Sequence, residues 1–332
     1  METMKAIICT KYGSPDVLQF KEVEKPTPKD DEVLVKIHAA SVNMYDWHLL
    51  TADIFLVRLM GGGLLRPKHA IPGADIAGRI EAAGRNVEQF RPGDEVFGDL
   101  VACGDGAFAE FVAVPERFLA LKPTNLTFEE AAAVPMAAVT ALQGLRDQGQ
   151  IQAGQKVLIQ GASGGVGTFA VQIAQSFGAE VTAVCSTRNL DQARSLGADY
   201  VIDYTKEDFT KRGQQYDLIL AANGYHPLSD YKRALTPQGI YVMVGGTMAQ
   251  IFGAMLLGSS MSKTGGKKMG GVTGKPNQGD LVFMKGLLEA GRVVPIIDRR
   301  YPLRETAEAL RYLGEGHARG KIVITMEHSS KT

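Results

Sequence analysis

The sequence predicts an α/β protein in which a β-rich domain, drawn from both chain ends, accompanies a doubly wound parallel sheet. Three observations carry this expectation. The stretch up to about Leu126 reads as short strands and turns, and from Thr127 strands and helices alternate. After Lys275 a helix, strand, helix, strand series remains that can complete the first domain. The expected division is therefore residues 1–126 and 275–332 for the β-rich domain, and 127–274 for the parallel sheet.

The elements follow in order. MKAIIC (4–9), EVLVKIHAAS (32–41) and DIAGRIEAAG (75–84) are rich in strand formers, and GSPD, KPTPKDD and RPGDEVFG supply the turns between them. EEAAAVPMAAVTALQGLRDQ reads as a helix, KVLIQG as a strand, VGTFAVQIAQSFG as a helix and EVTAVCS as a strand. LDQARSLG, YVIDY, YDLILAA, YKRALT and IYVMVGG continue as helix, strand, strand, helix and strand. DLVFMKGLLEAG, VVPIIDRRYP, TAEALRYLGEG and KIVITM then give helix, strand, helix and strand. The Gly- and Lys-rich region 258–279 reads as a loop plus an edge strand.

Composition narrows the function classes. Thirty-six basic and thirty-six acidic residues cancel, so no global field recruits nucleic acid or an anionic membrane. Apolar content of 45% with 22% charged residues suits a globular protein with sizeable cores. Cys9, Cys103 and Cys185 are too scattered for a disulfide framework or a thiolate zinc site, which fits a reducing, cytoplasmic setting. METMKAIICT lacks the basic and apolar regions of a signal peptide, and AQIFGAMLL (249–257) is too short to span a bilayer.

One stretch, KVLIQGASGGVGTFAVQIAQSFGAEVTAVCSTRN (156–189), carries the strongest inference. An apolar strand runs into ASGGVG and then into an amphipathic helix and a second strand. Gly161 and Ala162 open the turn, Gly164 lets backbone approach a pyrophosphate, and Gly167 lets the helix pack closely on the strand. Amides at the helix start, together with its dipole, favour phosphate. The alternative is a tight strand-to-helix turn that binds nothing. An acid about twenty residues on grips the adenine ribose 2′-hydroxyl in NAD-binding versions. Here that place falls near Cys185, followed by Ser186, Thr187, Arg188 and Asn189, with no carboxylate before Asp191. Hydroxyls and a guanidinium suit a 2′-phosphate, so the expected cofactor is NADP(H). Arg188 could equally be a solvated helix-start residue.

At this point the chain resembles the medium-chain dehydrogenase/reductase superfamily, in its zinc-independent NADPH:quinone oxidoreductase branch, which has mitochondrial and chloroplast-envelope members. SVNMYD (41–46), PGADIAG (72–78), RPGDEVFG (91–98), GAFAEF (106–111), AAAVPMAAVTALQGL (131–145), GASGGVGTFAVQIA (161–174), LGADYVIDY (196–204) and GHARGKIVI (316–324) carry the likeness over nearly the whole length. The resemblance implies a GroES-like catalytic domain, a Rossmann domain and a cofactor in the cleft between them. It places Asn43 and Asp46 on the nicotinamide side, with Thr140 touching the nicotinamide. Ser163, Gly164, Gly165 and Val166 would hold the pyrophosphate, and Ser186, Arg188 and Tyr204 would meet the adenine-ribose end. Ala222, Val244, Gly245, Arg319, Gly320 and Lys321 would close around the cofactor. It also implies a homodimer paired through an edge strand, for which KKMGGVTG (267–274) is the candidate.

The superfamily divides on metal. Zinc members carry Cys in the segment matching SVNMYD, where Asn43 stands, and their GHE turn corresponds to GAD, with Ala74 at the histidine position. Their second cysteine falls near Met136 or Ala137. These residues cannot supply three zinc ligands, so a metal-free protein is expected. Hydride delivery to a quinone or the β-carbon of an enone then remains feasible, with the cofactor supplying the hard chemistry. For the proton donor, Tyr45, His48 and water all stay open. DIFLVRLMGGGLLRPKHAIPG (53–73) reads either as a mobile lid over a lipophilic acceptor or as ordinary packing. Two alternatives to the quinone or enone reductase stand beside it. One is a zinc-free alcohol or aldehyde oxidoreductase; the other is a non-catalytic NADPH-binding or single-strand nucleic-acid-binding protein. Lys263, Lys267, Lys268 and Lys275, without aromatics for base stacking, are the sole support for nucleic acid.

Overall fold

The structure, a computed structural model, describes residues 2–52, 63, 65–245, 266–272 and 274–327. Its strands in chain order are β1 (Thr3–Ile8), β2 (Gln19–Glu24), β3 (Glu32–Val42), β4 (Asp75–Ala83), β5 (Glu95–Asp99), β6 (Phe111–Pro115), β7 (Leu119–Leu121), β8 (Lys156–Gln160), β9 (Glu180–Cys185), β10 (Tyr200–Asp203), β11 (Tyr216–Ala221), β12 (Leu235–Met243), β13 (Lys268–Gly271), β14 (Ile297–Pro302) and β15 (Lys321–Thr325). The 249–257 run and most of the 53–73 stretch lie outside the described residues.

The chain forms two compact units. The first takes Met1–Met136, Pro276–Glu289 and Pro295–Thr332; the second takes Ala137–Lys275 and Ala290–Val294. The boundary thus falls ten residues beyond the expected Leu126. The helix Phe128–Ala132 packs on β3 and β4, and the Met136 N–H donates to Asp75 Oδ1 at 2.9 Å, holding this stretch to the first unit. The return of 290–294 has a similarly local cause. The Gln172 side chain donates to the Val294 carbonyl at 3.0 Å and accepts from its N–H at 2.8 Å.

In the first unit one sheet runs β14-β15-β3-β4-β5-β7, with β6 also paired to β3, and β1 and β2 form a separate antiparallel pair. β3 is the centre of this sheet, flanked by β4, β6 and β15, and it is buried along nearly its whole length. Its apolar run EVLVKIHAASV suits that position, because a strand covered on both faces needs no polar alternation. Val33, Val35 and Ile37 join Ile76, Val96, Phe108, Leu119, Ile322 and Ile324 in the core. The C-terminal strand β15 pairs antiparallel with the end of β3, Ile322 opposite Val42, which is how residues past 295 complete the domain begun at the N-terminus.

The second unit holds a six-stranded parallel sheet in the order β10-β9-β8-β11-β12-β13. Counted from β8 this is 3-2-1-4-5-6, the doubly wound arrangement in which ligands meet the strand ends where the order reverses. That reversal lies between β8 and β11, whose register pairs Ala221 with Gln160. β13 occupies the edge beside β12 within the segment read as an edge strand. The stretch read as one long helix is instead Phe128–Ala132, then Pro135–Leu142, then a π-helical turn Gln143–Gln148. Pro135 sits at the start of the second piece, where its missing N–H leaves no intrahelical bond unmade.

The helix Gly165–Ser176 buries Phe169, Ala170, Val171 and Ile173. Its approach to β8 depends on Gly167, where an added Cβ would lie 2.0 Å from the Gly161 carbonyl oxygen and 2.8 Å from Ala162 Cα. Both obstacles are backbone and cannot swing away. We therefore expect Gly167→Ala to lose about 1–3 kcal/mol of unfolding free energy by urea titration. A variant as stable as the parent would mean that the helix does not sit this close to the strand.

Candidate functional site

Each unit carries one cluster of functional groups. In the second unit the cluster forms at the strand-order reversal. β8 ends in Gln160, a wholly buried polar residue in an otherwise apolar strand. Gln160 Oε1 accepts from the Tyr231 hydroxyl at 2.5 Å, while its Nε2, near the Tyr225 phenol, makes no hydrogen bond of normal length among the described residues. That amide lines a cavity of about 190 Å³ with Gly161, Val184, Tyr204, Asn223 and Tyr225. Two half-exposed tyrosine rings, Tyr204 and Tyr225, stand 6.0 Å apart there. Gly164 caps the following helix, and a Cβ added to it would meet nothing nearer than 3.7 Å, so its backbone is open to an approaching group. Gly165 and Val166 begin that helix and Ser163 precedes it. Ala222, Val244 and Gly245 gather at the ends of β11 and β12: Ala222 donates to the Gln160 carbonyl, and Val244 and Gly245 donate to that of Ala221. Thr140 lies in the helix Pro135–Leu142 of the same unit. An unpaired buried donor, open helix-start amides and flat aromatic faces at a reversal point fit a dinucleotide.

At the end of β9 the groups are Ser186, with Asn189 Nδ2 donating to its Oγ at 3.0 Å, and the exposed Arg188. The fold also brings an acid there that local reading missed. Asp203 pairs in register with Cys185, and its carboxylate accepts from the hydroxyls of Thr187 at 2.5 Å and Thr205 at 2.7 Å. These bonds, the Thr187 hydroxyl first, hold the Asp203 carboxyl down to about 2, and Lys206 stands 3.6 Å away. Its two oxygens are committed to neighbouring side chains.

The first unit holds the second cluster, where β3, β4 and β15 meet. Asp75 opens β4 with no exposed surface. Its Oδ2 accepts from Ser41 Oγ at 2.9 Å, from Asn43 Nδ2 at 2.9 Å and from Lys321 Nζ at 3.3 Å, while Oδ1 takes the Met136 N–H. Lys321, also buried, donates in addition to Asn43 Oδ1 and, at 3.3 Å, to the Val42 carbonyl. The ammonium of Lys321, assigned above with Arg319 and Gly320 to the cofactor, is therefore turned into this network. Arg319 donates its N–H to Asp298 in the same unit. Asn43 starts the helix Met44–Thr51, and its N–H donates to Asp46 Oδ2 at 2.7 Å. That bond and the helix start present Tyr45, whose hydroxyl faces Asp105 at 3.3 and 3.5 Å.

Three more buried acids adjoin this pair. Burial raises the carboxyl of Asp46 well above its ordinary range, despite the Asn43 N–H. Burial and the nearby Asp75 push Asp99 up as well, against the Val101 N–H. Asp105 is pushed up to about 7, chiefly by burial. The same desolvation raises the Tyr45 phenol and lifts the Cys103 thiol to about 12. The cluster thus holds one salt bridge, Asp75 with Lys321, beside three acids whose carboxyls burial raises above their ordinary range.

A catalytic zinc does not fit this donor set. Asn43 Oδ1 already accepts a lysine ammonium, Asn43 Nδ2 is held by Asp75, and the buried Ala74 has no ligating atom. Among the described residues no group of three or more His, Cys, Asp or Glu side chains is placed to hold a metal ion. No helix among them is long and apolar enough to cross a membrane. Asp75, Asp99, Asp105, Asn223 and Tyr225 were not singled out from the sequence. The GDG at 104–106 was the available signal for Asp105, since Gly104, Asp105 and Gly106 all take positive φ, at 112°, 61° and 112°.

The chain is similar to known proteins over nearly its whole length. Residues 29–124 match an alcohol dehydrogenase GroES-like domain and residues 196–324 a zinc-binding dehydrogenase domain. The chain is 36% identical to a 2-methylene-furan-3-one reductase of Solanum lycopersicum, over 97% of its own length and 79% of that protein. It is 33% identical to a chloroplastic NADPH-dependent alkenal/one oxidoreductase of Arabidopsis thaliana, with the same two coverages of 97% and 79%. Among solved structures, the quinone oxidoreductase from Coxiella burnetii matches with a TM-score of 0.85 and 28% identity, covering 98% of this chain and all of that one.

The buried ion pair yields a direct test. Lys321→Met leaves the Asp75 carboxylate without its counter-ion and is expected to lower stability by about 3 kcal/mol. Adding Asp75→Asn should recover a large part of that loss, because the uncompensated charge goes with it. Chemical denaturation of the two variants decides the matter: a Lys321→Met protein that unfolds at the parent's midpoint rules out a load on this pair.

Proposed function

The chain belongs to the medium-chain dehydrogenase/reductase superfamily, and from that premise we propose an NADPH-dependent reductase of quinones or α,β-unsaturated carbonyl compounds that works without zinc. The observation that supports the zinc-free part is the Lys321–Asn43–Asp75 network, in which both polar atoms of the Asn43 side chain are already committed to other side chains. Reduction of quinones and enones is what the names of the similar proteins describe. Such acceptors are already electrophilic and need no strong Lewis acid.

When bound, NADPH supplies the hydride. The residues of this chain do the rest. Backbone amides from Ser163 to Val166 take the pyrophosphate at the helix start, where the dipole favours anions. Gln160 Nε2 offers a buried donor to the same ligand. Ser186, Arg188 and Tyr204 receive the 2′-phosphate end, with Lys206 balancing the charge of Asp203. In the first unit, Asn43 and Asp46 set the start of the helix that presents Tyr45. Pairing of two copies along β13 is the assembly we propose, since an edge strand leaves main-chain groups to pair.

Two measurements test this reading. Arg188→Ala should raise the NADPH KM about tenfold while moving the NADH KM little, as expected for one lost charge-assisted bond; equal shifts would remove Arg188 from the phosphate site. Steady-state rates with 9,10-phenanthrenequinone, a simple enone and a primary alcohol, each with and without a chelator, should show turnover of the first two and no chelator effect. Turnover of the alcohol alone, or inactivation reversed by added zinc, would overturn the assignment.

A further inference from the structure

Hydride addition leaves negative charge on the acceptor's oxygen, and a proton must reach it. Resting on the reductase reading above, we propose that Tyr45 and Asp105 form the proton-delivery pair of the enzyme. Tyr45 donates its hydroxyl proton to that oxygen, and Asp105, acting through Tyr45 as a positioning residue, restores it.

Several independent features of the structure converge on this pair. Among the described residues, the Tyr45 hydroxyl has Asp105 as its one hydrogen-bond partner, at 3.3 and 3.5 Å, and Asp105 is 7% exposed. Asp105 is held there by a backbone that L-residues seldom adopt, at φ 61° between two glycines of positive φ. The Leu100 carbonyl anchors the turn, accepting from the N–H groups of Cys103, Gly104 and Asp105. A left-handed non-glycine residue is retained against a conformational penalty of about 1 kcal/mol or more. Behind the pair lies a cavity of about 10 Å³, lined by Asp46, Asp105, Cys9 and the solvent-exposed His69. Asp46 is 2% exposed, and its Oδ1 has no hydrogen-bond partner among the described residues. The rest of the cavity's lining is apolar, from Leu18, Leu49, Leu50, Pro67, Pro72 and Leu310.

The step balances. An enone gains hydride at its β-carbon, the double-bond electrons move to the carbonyl oxygen, and that oxygen takes the Tyr45 proton. The phenolate recovers a proton from the Asp105 carboxylic acid, and the Asp105 carboxylate is reprotonated from solvent. The net addition is one hydride and one proton. Protonated Asp105 also reverses the hydrogen bond, donating to the Tyr45 oxygen and freeing the phenol O–H for the acceptor. The groups that face Asp105 are Tyr45 and Asp46 from the helix Met44–Thr51, Asp99 from β5, Cys103 from its own turn and His69 across the cavity. Asp75 and Lys321 also act on that acid cluster, and they offset each other's charge. Partial desolvation of its ring and the nearby Lys68 shift His69 toward its neutral form, so it lends Asp105 little positive charge. With Asp105 pushed up to about 7, activity should be full at acid pH and fall as pH rises through about 7.

The test begins with the wild-type protein, NADPH, 9,10-phenanthrenequinone and an enone; no turnover at all sinks the reductase reading and this pair with it. Given turnover, Tyr45→Phe should lower kcat for the enone about 100-fold and Asp105→Asn about tenfold, within the range for a positioned acid. The NADPH dissociation constant should barely move in either. Asparagine keeps the left-handed backbone and cannot supply the proton, so the alkaline fall of kcat should vanish in Asp105→Asn. The double variant should be no slower than Tyr45→Phe alone. A readout without cofactor accompanies these. The folded carboxyl holds a proton that the unfolded chain releases between pH 3.8 and about 7, so its contribution to stability declines as pH rises through that window. The melting temperature of Asp105→Asn, relative to the parent, should therefore climb from pH 4 to pH 8. Should Asp105→Asn not fold, Tyr45→Phe and the wild-type pH profile decide alone. A Tyr45→Phe enzyme within twofold of the parent, an alkaline limb that survives in Asp105→Asn, or a melting difference independent of pH each overturns the proposal.

Discussion

A lysine ammonium and an aspartate carboxylate, each almost wholly removed from water, face each other at 3.3 Å where β3, β4 and β15 meet. Desolvating such ions costs several kcal/mol apiece, and only a nearly complete set of partners offsets it. The chain meets that demand by bringing together residues 41–43, 75, 136 and 321, four segments remote in sequence. A register shift of one residue in any of these strands would turn a charge away from its partner. The pair therefore fixes strand pairing more sharply than the apolar core beneath it, where Val, Ile and Leu are interchangeable at small penalty. It also fixes Asn43, and with Asn43 the start of the helix that carries Tyr45 and Asp46. The presentation of the first unit's polar groups follows from one buried ion pair.

Around that pair the unit uses the opposite solution for its other acids. Asp46, Asp99 and Asp105 have no salt-bridge partner among the described residues, and burial raises each carboxyl above its ordinary range. A neutral acid can donate as well as accept, which a carboxylate cannot. The same burial that would be a liability for charged groups thus converts three aspartates into groups capable of holding a proton near neutrality. Tyr45 shares the environment and is held in its phenol form, since its ionisation is opposed by burial and by Asp105.

How far this was readable beforehand differs by element. KVLIQGASGGVG announced a strand, a turn and a helix because each local choice agreed with the others, and the glycine at 167 behaves as its motif position implies. KMGG (268–271) sits at the sheet edge for the reason its segment reads so, having small and basic residues and little to bury. The helix through Pro135 was legible as helix but not as three pieces, since its breaks depend on what each end packs against. Asp203, Asn223 and Tyr225 reach the nucleotide cluster from strands later in the chain, so no local window contains them with Ser186 or Gln160. Asp99 and Asp105 were masked by their setting: FGDL and CGDG look like solvent-facing turns, and only the pairing of β4 with β5 carries them inside.

Both units keep polar atoms unpaired where folding could have satisfied them. Among the described residues, Gln160 Nε2 in the second unit and Asp46 Oδ1 in the first are buried without a hydrogen bond of normal length. Each such atom forgoes about 1–3 kcal/mol, an appreciable share of a domain's net stability. Replacing either residue by an apolar one of similar size would remove that loss, yet the chain places both beside a cavity rather than in close-packed core. Unsatisfied groups scattered at random would sit against packed side chains, as the rest of the interior does. Asn189 Oδ1 and the Tyr241 hydroxyl are unmet as well among the described residues, so an unmet bond marks a candidate site only where open space adjoins it, as at Gln160, where an acceptor-bearing ligand fits.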